Sequence, residues 1–179
     1  MTREEKLIRK TEQGDSEAAS ELVAIYYAEI LRYCLWHAPN RSLAEDITQE
    51  TFLKAIRYLD RRTYKGRLRP FLYRIAANTC IDALRNMRPP DLSLEDTAID
   101  VPYQEPGFEE IRSDVAMRQL IASLPSELQE IILLRFGQDL TIRETAEVLD
   151  LPLRTVQSRL RSALRQLKKN IEREEGGNL

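Results

Sequence analysis

The sequence predicts an all-α protein with two small helical domains joined by an acidic, proline-containing linker. Apolar residues recur every three or four positions through most of the chain, as they do in helices that bury one face, and no segment alternates as a strand does. Residues 89–112 break this period, are acidic and carry four of the eight prolines. We therefore expect domains at residues 1–88 and 113–179, with a flexible linker at 89–112.

Three long helices are expected in the first domain. The first is capped by Ser16 and runs to about Trp36, and the second begins at a capping box of Ser42 and Glu45. The third begins near Pro70, since proline is favoured in the first turn of a helix. The residues expected to face a shared core are Leu22, Ile25, Tyr26, Ile30, Tyr33, Ala44, Ile47, Thr51, Phe52, Ala55, Leu59, Leu72, Ile75, Ala76, Thr79, Ala83, Leu84 and Met87.

Residues 141–165 have the layout of a helix-turn-helix, the motif that places its second helix in the major groove of DNA. A Thr-x-x-Glu capping box marks its start. Ala146 is a small residue where the helices cross, Asp150 tolerates a left-handed turn, and Val156 returns an apolar group to the core. The alternative is an ordinary helical pair with a solvated basic face. Two helices should precede this motif, one around Asp114–Ser123 and one capped by Ser126 and Gln129.

The composition excludes several classes of protein. No apolar run is long enough for a membrane span or a signal peptide, so we expect a soluble cytoplasmic protein. Cys34 and Cys80 form neither a disulfide framework nor a zinc pattern, and His37, the single histidine, leaves a metal site short of ligands. Asp82 and Glu50 lack a paired acid, base or nucleophile. We therefore expect no metal, no cofactor and no catalysis.

The charges are divided along the chain. Residues 51–88 contain ten basic and two acidic side chains, and residues 151–179 contain seven and three. Residues 89–115, between these regions, contain one basic and eight acidic side chains. Two basic regions held apart by an acidic one suit contacts at two places on a single polyanion such as a nucleic acid.

The second helix should present a ridge of residues three and four apart, formed by Asp46, Gln49, Glu50, Leu53 and Arg57. This ridge combines an exposed leucine with charges that are clustered by sign, which favours docking on another helix. The alternative is a solvated polar face.

The third helix and the loop before it are rich in arginine and lysine, with aromatic residues between them. Cations can neutralise phosphates, Tyr64 and Phe71 offer flat faces for an unstacked base, and the Asn78 amide can hydrogen-bond a base edge. This combination favours single-stranded DNA as the ligand. The alternative is that the rings, Tyr73 above all and Phe71 in part, pack inside the bundle.

Taken together, these residues resemble a known family, the extracytoplasmic-function (ECF, group IV) sigma factors of bacterial RNA polymerase, within the sigma-70 superfamily. Residues 46–55 resemble region 2.2 of that family, residues 71–85 resemble regions 2.3 and 2.4, and residues 124–165 resemble region 4. The resemblance implies a stress-response sigma factor that directs core RNA polymerase to promoters and is held by an anti-sigma factor. The alternative is a conventional two-domain helix-turn-helix transcription regulator.

The resemblance also implies roles for individual residues. Docking on the β′ clamp helices of core polymerase is implied for Asp46, Gln49, Glu50 and Leu53. Opening the −10 element and holding its single strand is implied for Lys54, Tyr64, Lys65, Phe71, Arg74, Asn78 and Arg85. Reading bases in the −35 major groove is implied for Gln157, Ser158, Arg161 and Ser162. Gripping phosphates there is implied for Arg154, Thr155, Arg159 and Arg165.

Overall fold

The computed structural model describes residues 1–61, 66–87 and 108–177, with side chains from residue 115 onward in the last range. Within these ranges the regular elements are all helical, as predicted. The chain divides into two compact units, Met1–Pro102 and Tyr103–Leu179. Most of the expected linker lies outside the described residues, so its boundaries at 89 and 112 stay a prediction. In the described part of the chain, we find no helix with the length and apolarity needed to cross a bilayer.

The first unit is a bundle of four packed helices: α1 (Arg3–Glu12), α2 (Ser16–His37), α3 (Arg41–Asp60) and α4 (Leu68–Met87). Helix α2 packs against the other three helices, and α3 also packs against α4. Helix α1 was not among the helices predicted from the sequence. A capping box of Thr2 and Glu5 starts this helix, and it buries Leu7 and Thr11 against the bundle.

The predicted cap of α3 is wrong. Asn40 is the N-cap, and its Oδ1 accepts a hydrogen bond from the Leu43 backbone N–H at 2.8 Å. The helix therefore begins before Ser42, and Glu45 instead pairs with Arg41 at 2.9 Å. Asn40 can take the cap position in place of Ser42 because asparagine is among the strongest N-cap residues. The Asn40 side chain therefore caps the first turn two positions earlier than expected.

Two of the predicted core residues of the bundle are exposed. Ile25 directly precedes Tyr26 in α2, and its side chain lies about 100° around the helix axis from the buried stripe. The buried face of α4 ends at Cys80. Ala83 and Leu84 are half-buried there, and Met87 is exposed.

The second unit contains α5 (Phe108–Ala122), α6 (Ser126–Ile132), a π-helical turn (Leu133–Gly137), α7 (Ile142–Leu149) and α8 (Leu153–Gly176). Helix α5 begins earlier than the expected start at Asp114. The predicted Ser126 cap is wrong, since Pro125 is the N-cap without a side-chain bond. The Gln129 amide donates to the Leu124 carbonyl at 2.7 Å instead. The buried core of this unit includes Ile121, Ile131, Leu134, Leu140, Val156 and Ala163.

The turn of the helix-turn-helix is confirmed in its details. Thr141 and Glu144 form both bonds of the capping box. Asp150 adopts the left-handed conformation, with φ 53° and ψ 48°. The next residue closes the turn, because the Leu151 N–H donates to the Ala146 carbonyl at 3.1 Å. The short crossing between α7 and α8 therefore depends on a left-handed residue at position 150.

Replacing Asp150 by valine is expected to cost about 1 kcal/mol more stability than replacing it by glycine, because a β-branched residue clashes in the left-handed region whereas glycine does not. Urea denaturation of the full chain with both variants measures this difference. Equal midpoints for Asp150→Val and Asp150→Gly would contradict the strained turn.

Candidate nucleic-acid interface

The ridge predicted on the second helix lies opposite the buried face of α3, as expected. We call it the α3 ridge, and its residues are Asp46, Gln49, Glu50, Leu53 and Arg57. Asp46, Gln49 and Leu53 are exposed, and Leu53 leaves 51% of its surface in solvent. Glu50 is half-buried beside them. The opposite face of the helix is anchored in the bundle by Ala44, Ile47, Thr48, Thr51, Phe52, Ala55 and Leu59. This packing fixes the ridge on the surface, where an apolar centre is flanked by carboxylates.

The outer face of α4 presents Arg74, Asn78 and Arg85 to solvent. Ile81 lies among them on the same stripe and is 49% exposed. Positions three and four apart share one helix face, so two guanidinium groups and an amide line one side of α4. This arrangement can bind a phosphate backbone and hydrogen-bond a base edge.

Lys54 of α3 contacts α4 through Thr79. Its Nζ donates a hydrogen bond to Thr79 Oγ1 at 3.2 Å, and Thr79 in turn donates to the Ile75 carbonyl at 2.7 Å. Thr79 follows Asn78 directly in the chain. The structure therefore brings Lys54 to the same turn of α4 as Asn78, although the two are far apart in sequence.

The aromatic residues around α4 differ in how accessible they are. Tyr73 is fully buried, so the alternative that it packs inside the bundle is confirmed. Phe71 is half-buried and meets Tyr58 edge to face, with ring centroids 5.8 Å apart. Tyr64 and Lys65 lie outside the described residues. Of the predicted stacking residues, only Phe71 can be placed in the described part of the chain, and its ring already contacts Tyr58.

Arg69 has a structural role that the sequence analysis missed. Its Nη2 and Nε donate to Glu29 Oε2 at 2.9 and 3.1 Å, and the Tyr73 hydroxyl donates to the same oxygen at 2.9 Å. Burial, and then the charge of the Glu29 carboxylate and its hydrogen bond, raise the pKa of Tyr73 well above its usual range. Arg69 and Tyr73 are four residues apart on α4, so this spacing was the available signal.

Helix α8 presents the second set of candidate residues. Exposed side chains on this helix are Arg154, Gln157, Ser158, Arg161, Ser162 and Arg165. Thr155 is half-buried. Arg159 is also half-buried and pairs with Glu127 of α6 at 3.8 Å. The exposed polar face can enter a major groove. Arg159 lies beside it and already contacts an exposed carboxylate of the same chain.

Comparison with known sequences identifies both units. The family described as Sigma-70 region 2 matches residues 22–88, and the family described as Sigma-70, region 4 matches residues 114–167. The ECF RNA polymerase sigma factor SigW of Bacillus subtilis is 28% identical over 178 residues, which cover 93% of this chain and 95% of that protein. The ECF RNA polymerase sigma-E factor of Haemophilus influenzae is 30% identical to this chain. The matched residues cover 94% of this chain and 95% of that protein.

Solved structures share the fold. CnrH, in its complex with the cytosolic domain of CnrY, superposes with a TM-score of 0.71 at 21% identity and covers 93% of this chain and 95% of that chain. RpoE of Bartonella quintana, in complex with the anti-sigma factor NepR, gives a TM-score of 0.60 at 14% identity. The superposition covers 86% of this chain and 96% of that chain.

The region 2 match occupies the part of the chain in which a conventional regulator would carry a sensing or dimerisation domain. The second unit carries the matching helix-turn-helix. The chain therefore belongs to the ECF family of sigma factors, the non-enzymatic subunits that direct RNA polymerase to promoters.

Proposed function

We propose that the α3 ridge docks on the β′ clamp helices of core RNA polymerase through Asp46, Gln49, Glu50 and Leu53. The exposure of Leu53 between carboxylates supports this role. A buried apolar anchor supplies most of the affinity at such an interface, and the surrounding charges select the partner. A clamp helix with basic and apolar side chains complements the ridge.

We propose that the α4 face and Lys54 bind the non-template single strand of the −10 element. The observation that carries this proposal is that Arg74 and Asn78 share the exposed face of α4, and that Lys54 reaches the same turn of α4 through its hydrogen bond to Thr79. The cations neutralise phosphates, and the Asn78 amide recognises an unstacked base. The remaining residues assigned to this site are Tyr64, Lys65, Phe71 and Arg85.

We propose that α8 enters the major groove of the −35 element. The residues assigned to base edges are Gln157, Ser158, Arg161 and Ser162. The residues assigned to phosphates are Arg154, Thr155, Arg159 and Arg165. The exposure of the polar face of α8 beyond the left-handed turn supports this orientation.

With these contacts, residues 1–88 and 113–179 would hold two promoter elements across the linker at 89–112. A factor that binds the opened −10 strand better than the duplex shifts the equilibrium toward the open promoter, because a ligand favours the state for which it has higher affinity. We assign the protein to the cytoplasm on the ground that its partner polymerase acts there.

An anti-sigma factor is the second partner that we propose. CnrH and the Bartonella RpoE were both solved with a bound protein, the cytosolic domain of CnrY and the anti-sigma factor NepR. An inhibitor that covers the α3 ridge or the α4 face would block polymerase or promoter binding. Its release under stress would then activate this chain.

Replacing Asn78 by alanine tests the −10 site. Holoenzyme with Asn78→Ala should lose about 1–3 kcal/mol of affinity, roughly 5- to 150-fold, for single-stranded −10 DNA, because an amide pairing with a base edge has this magnitude. Affinity for −35 duplex should not change. Fluorescence anisotropy on both probes measures this, with probe sequences taken from promoters that the wild-type holoenzyme selects from a random library.

The matched control is Asn86→Ala, which removes the same amide from an exposed position of α4 about 80° around the helix from Asn78 and about 120° from Arg74. This variant should bind both probes as the wild type does. Equal losses on single strand and duplex for Asn78→Ala would refute the base-binding role.

A further inference from the structure

Thr79 of α4 has a buried hydroxyl that contacts a charged side chain of another helix. It is 5% exposed, and its Oγ1 donates to the Ile75 carbonyl, one turn earlier in α4, at 2.7 Å. Because this bond uses the only proton of the hydroxyl, the oxygen is left to act as an acceptor. Lys54 Nζ of α3 donates to it at 3.2 Å. The bond to Ile75 therefore fixes the orientation in which Thr79 holds Lys54.

Lys54 has a competing partner in its own helix. Glu50 lies one turn earlier in α3, and a glutamate four residues before a lysine is the arrangement that favours an ion pair on a helix. Both side chains are half-buried, yet among the residues that the structure describes no ion pair joins them. The ammonium contacts the α4 hydroxyl instead. Thr79 thus competes with a carboxylate of the α3 ridge for the same cation.

The Lys54 ammonium can bind a further partner while Thr79 holds it. It has N–H donors beyond the one that Thr79 accepts. Within the described ranges no carboxylate lies at ion-pair distance from Lys54, so none of these residues neutralises its charge directly. The exposed Asn78 directly precedes Thr79. A phosphate of a strand bound at Asn78 is therefore a suitable counter-ion for Lys54.

We propose that Thr79 is a positioning residue for promoter binding, which holds Lys54 beside Asn78 and away from Glu50. This inference rests on the proposed function of the α4 face. With the hydroxyl in place, Lys54 is available to a phosphate of the −10 strand, and Glu50 is available to core polymerase. Without the hydroxyl, Lys54 pairs with Glu50 along α3, and the strand loses one cationic contact. Thr79 is buried and acts only through Lys54.

A salt titration of holoenzyme binding to single-stranded −10 DNA, at saturating core polymerase, measures this contact. Each phosphate contact on a single strand contributes about 0.7 to the slope of log affinity against log salt concentration, or about fivefold in affinity at roughly 0.1 M salt. Lys54→Met should make the slope shallower by about 0.7, and Thr79→Val should change it in the same direction by up to this amount. Thr79→Ser keeps the hydroxyl and should bind as the wild type does.

A double variant shows whether Thr79 acts through Lys54. In the Lys54→Met background, Thr79→Val should cause no further loss, because the ammonium that it positions is absent. Thr51→Val is the matched control for the loss of a buried hydroxyl. Thr51 is fully buried in α3, and its Oγ1 donates to the Ile47 carbonyl at 2.7 Å, as Thr79 does to Ile75. This control should leave the affinity and the salt slope unchanged.

Two binding results would overturn the proposal. One is a wild-type salt slope for Thr79→Val, and the other is an equal loss from Thr79→Val with and without Lys54. If Lys54→Met also bound as the wild type does, Asn78→Ala would tell whether the α4 face fails as well. A loss for Asn78→Ala would keep the −10 site and remove only Lys54 and Thr79 from it. Wild-type binding by Asn78→Ala would refute the −10 site itself.

Nuclear magnetic resonance of the free sigma factor tests the geometry without DNA. In the wild type, the ε-methylene protons of Lys54 should show a stronger nuclear Overhauser effect to the Thr79 methyl group than to the Glu50 side chain. Thr79→Val should reverse this order, because Lys54 then pairs with Glu50. A wild type in which Lys54 lies against Glu50 would overturn the proposal whatever the binding data show.

Discussion

Reversing the charge of Glu50 is expected to weaken binding to core RNA polymerase by about 2 kcal/mol or more, which is at least about thirtyfold. Glu50 is half-buried next to the exposed Leu53, so an interface centred on this leucine would desolvate the carboxylate. In Glu50→Arg the new cation would face the basic partner helix at short range. Charge repulsion and the loss of a charged pair therefore both weaken binding to core polymerase.

Titration of labelled core polymerase with each variant measures the affinity, and run-off transcription reports the consequence. Glu17→Arg is the matched control, because it makes the same charge change at an exposed position on α2. The control should bind core polymerase normally, apart from a small loss of stability at the helix N-terminus. Wild-type affinity of Glu50→Arg would rule out the α3 ridge as the docking surface.

Replacing Glu29 by alanine is expected to destabilise the first unit by about 2–3 kcal/mol. One carboxylate oxygen accepts hydrogen bonds from both Arg69 and Tyr73, and its removal leaves a guanidinium and a buried phenol without this partner. The Arg69 and Glu29 side chains are 30% and 18% exposed, so the loss should be smaller than for a fully buried ion pair. Since the network ties the start of α4 to α2, the α4 face should also become less ordered.

Urea denaturation followed by the fluorescence of Trp36 measures this effect, because the single tryptophan of the chain lies in α2. Glu21→Ala is the control, since it breaks the ion pair between Arg3 and Glu21 on the surface. An exposed pair contributes about 1 kcal/mol or less. Equal midpoints for Glu29→Ala and Glu21→Ala would mean that the internal network does not stabilise the bundle.

Much of the fold could be predicted from local patterns in the sequence. Apolar residues at helical spacing predicted α2, α3, α4 and the helix-turn-helix, because a helix places residues three and four apart on one face whatever the rest of the chain does. The Thr141–Glu144 capping box and the left-handed turn at Asp150 follow the same logic, since their bonds span a few residues. The position of the α3 ridge was also predictable, because its outward direction follows from the buried side of its own helix.

Contacts between side chains of different helices could not be predicted from these local patterns. Arg69 and Arg74 look alike in the sequence, yet one is held by Glu29 from α2 and the other lies on the exposed face of α4. Only the packing of the bundle distinguishes an arginine that is held against a neighbouring helix from one that lies on the outer face of its own helix.

The same limit applies to Lys54 of α3, which donates a hydrogen bond to Thr79 of α4. Helical periodicity fixes the direction of a side chain from its own axis, but not which distant residue it meets. Which distant residue a side chain contacts depends on how the helices cross and on which buried polar groups find a partner. Only the tertiary structure determines these contacts.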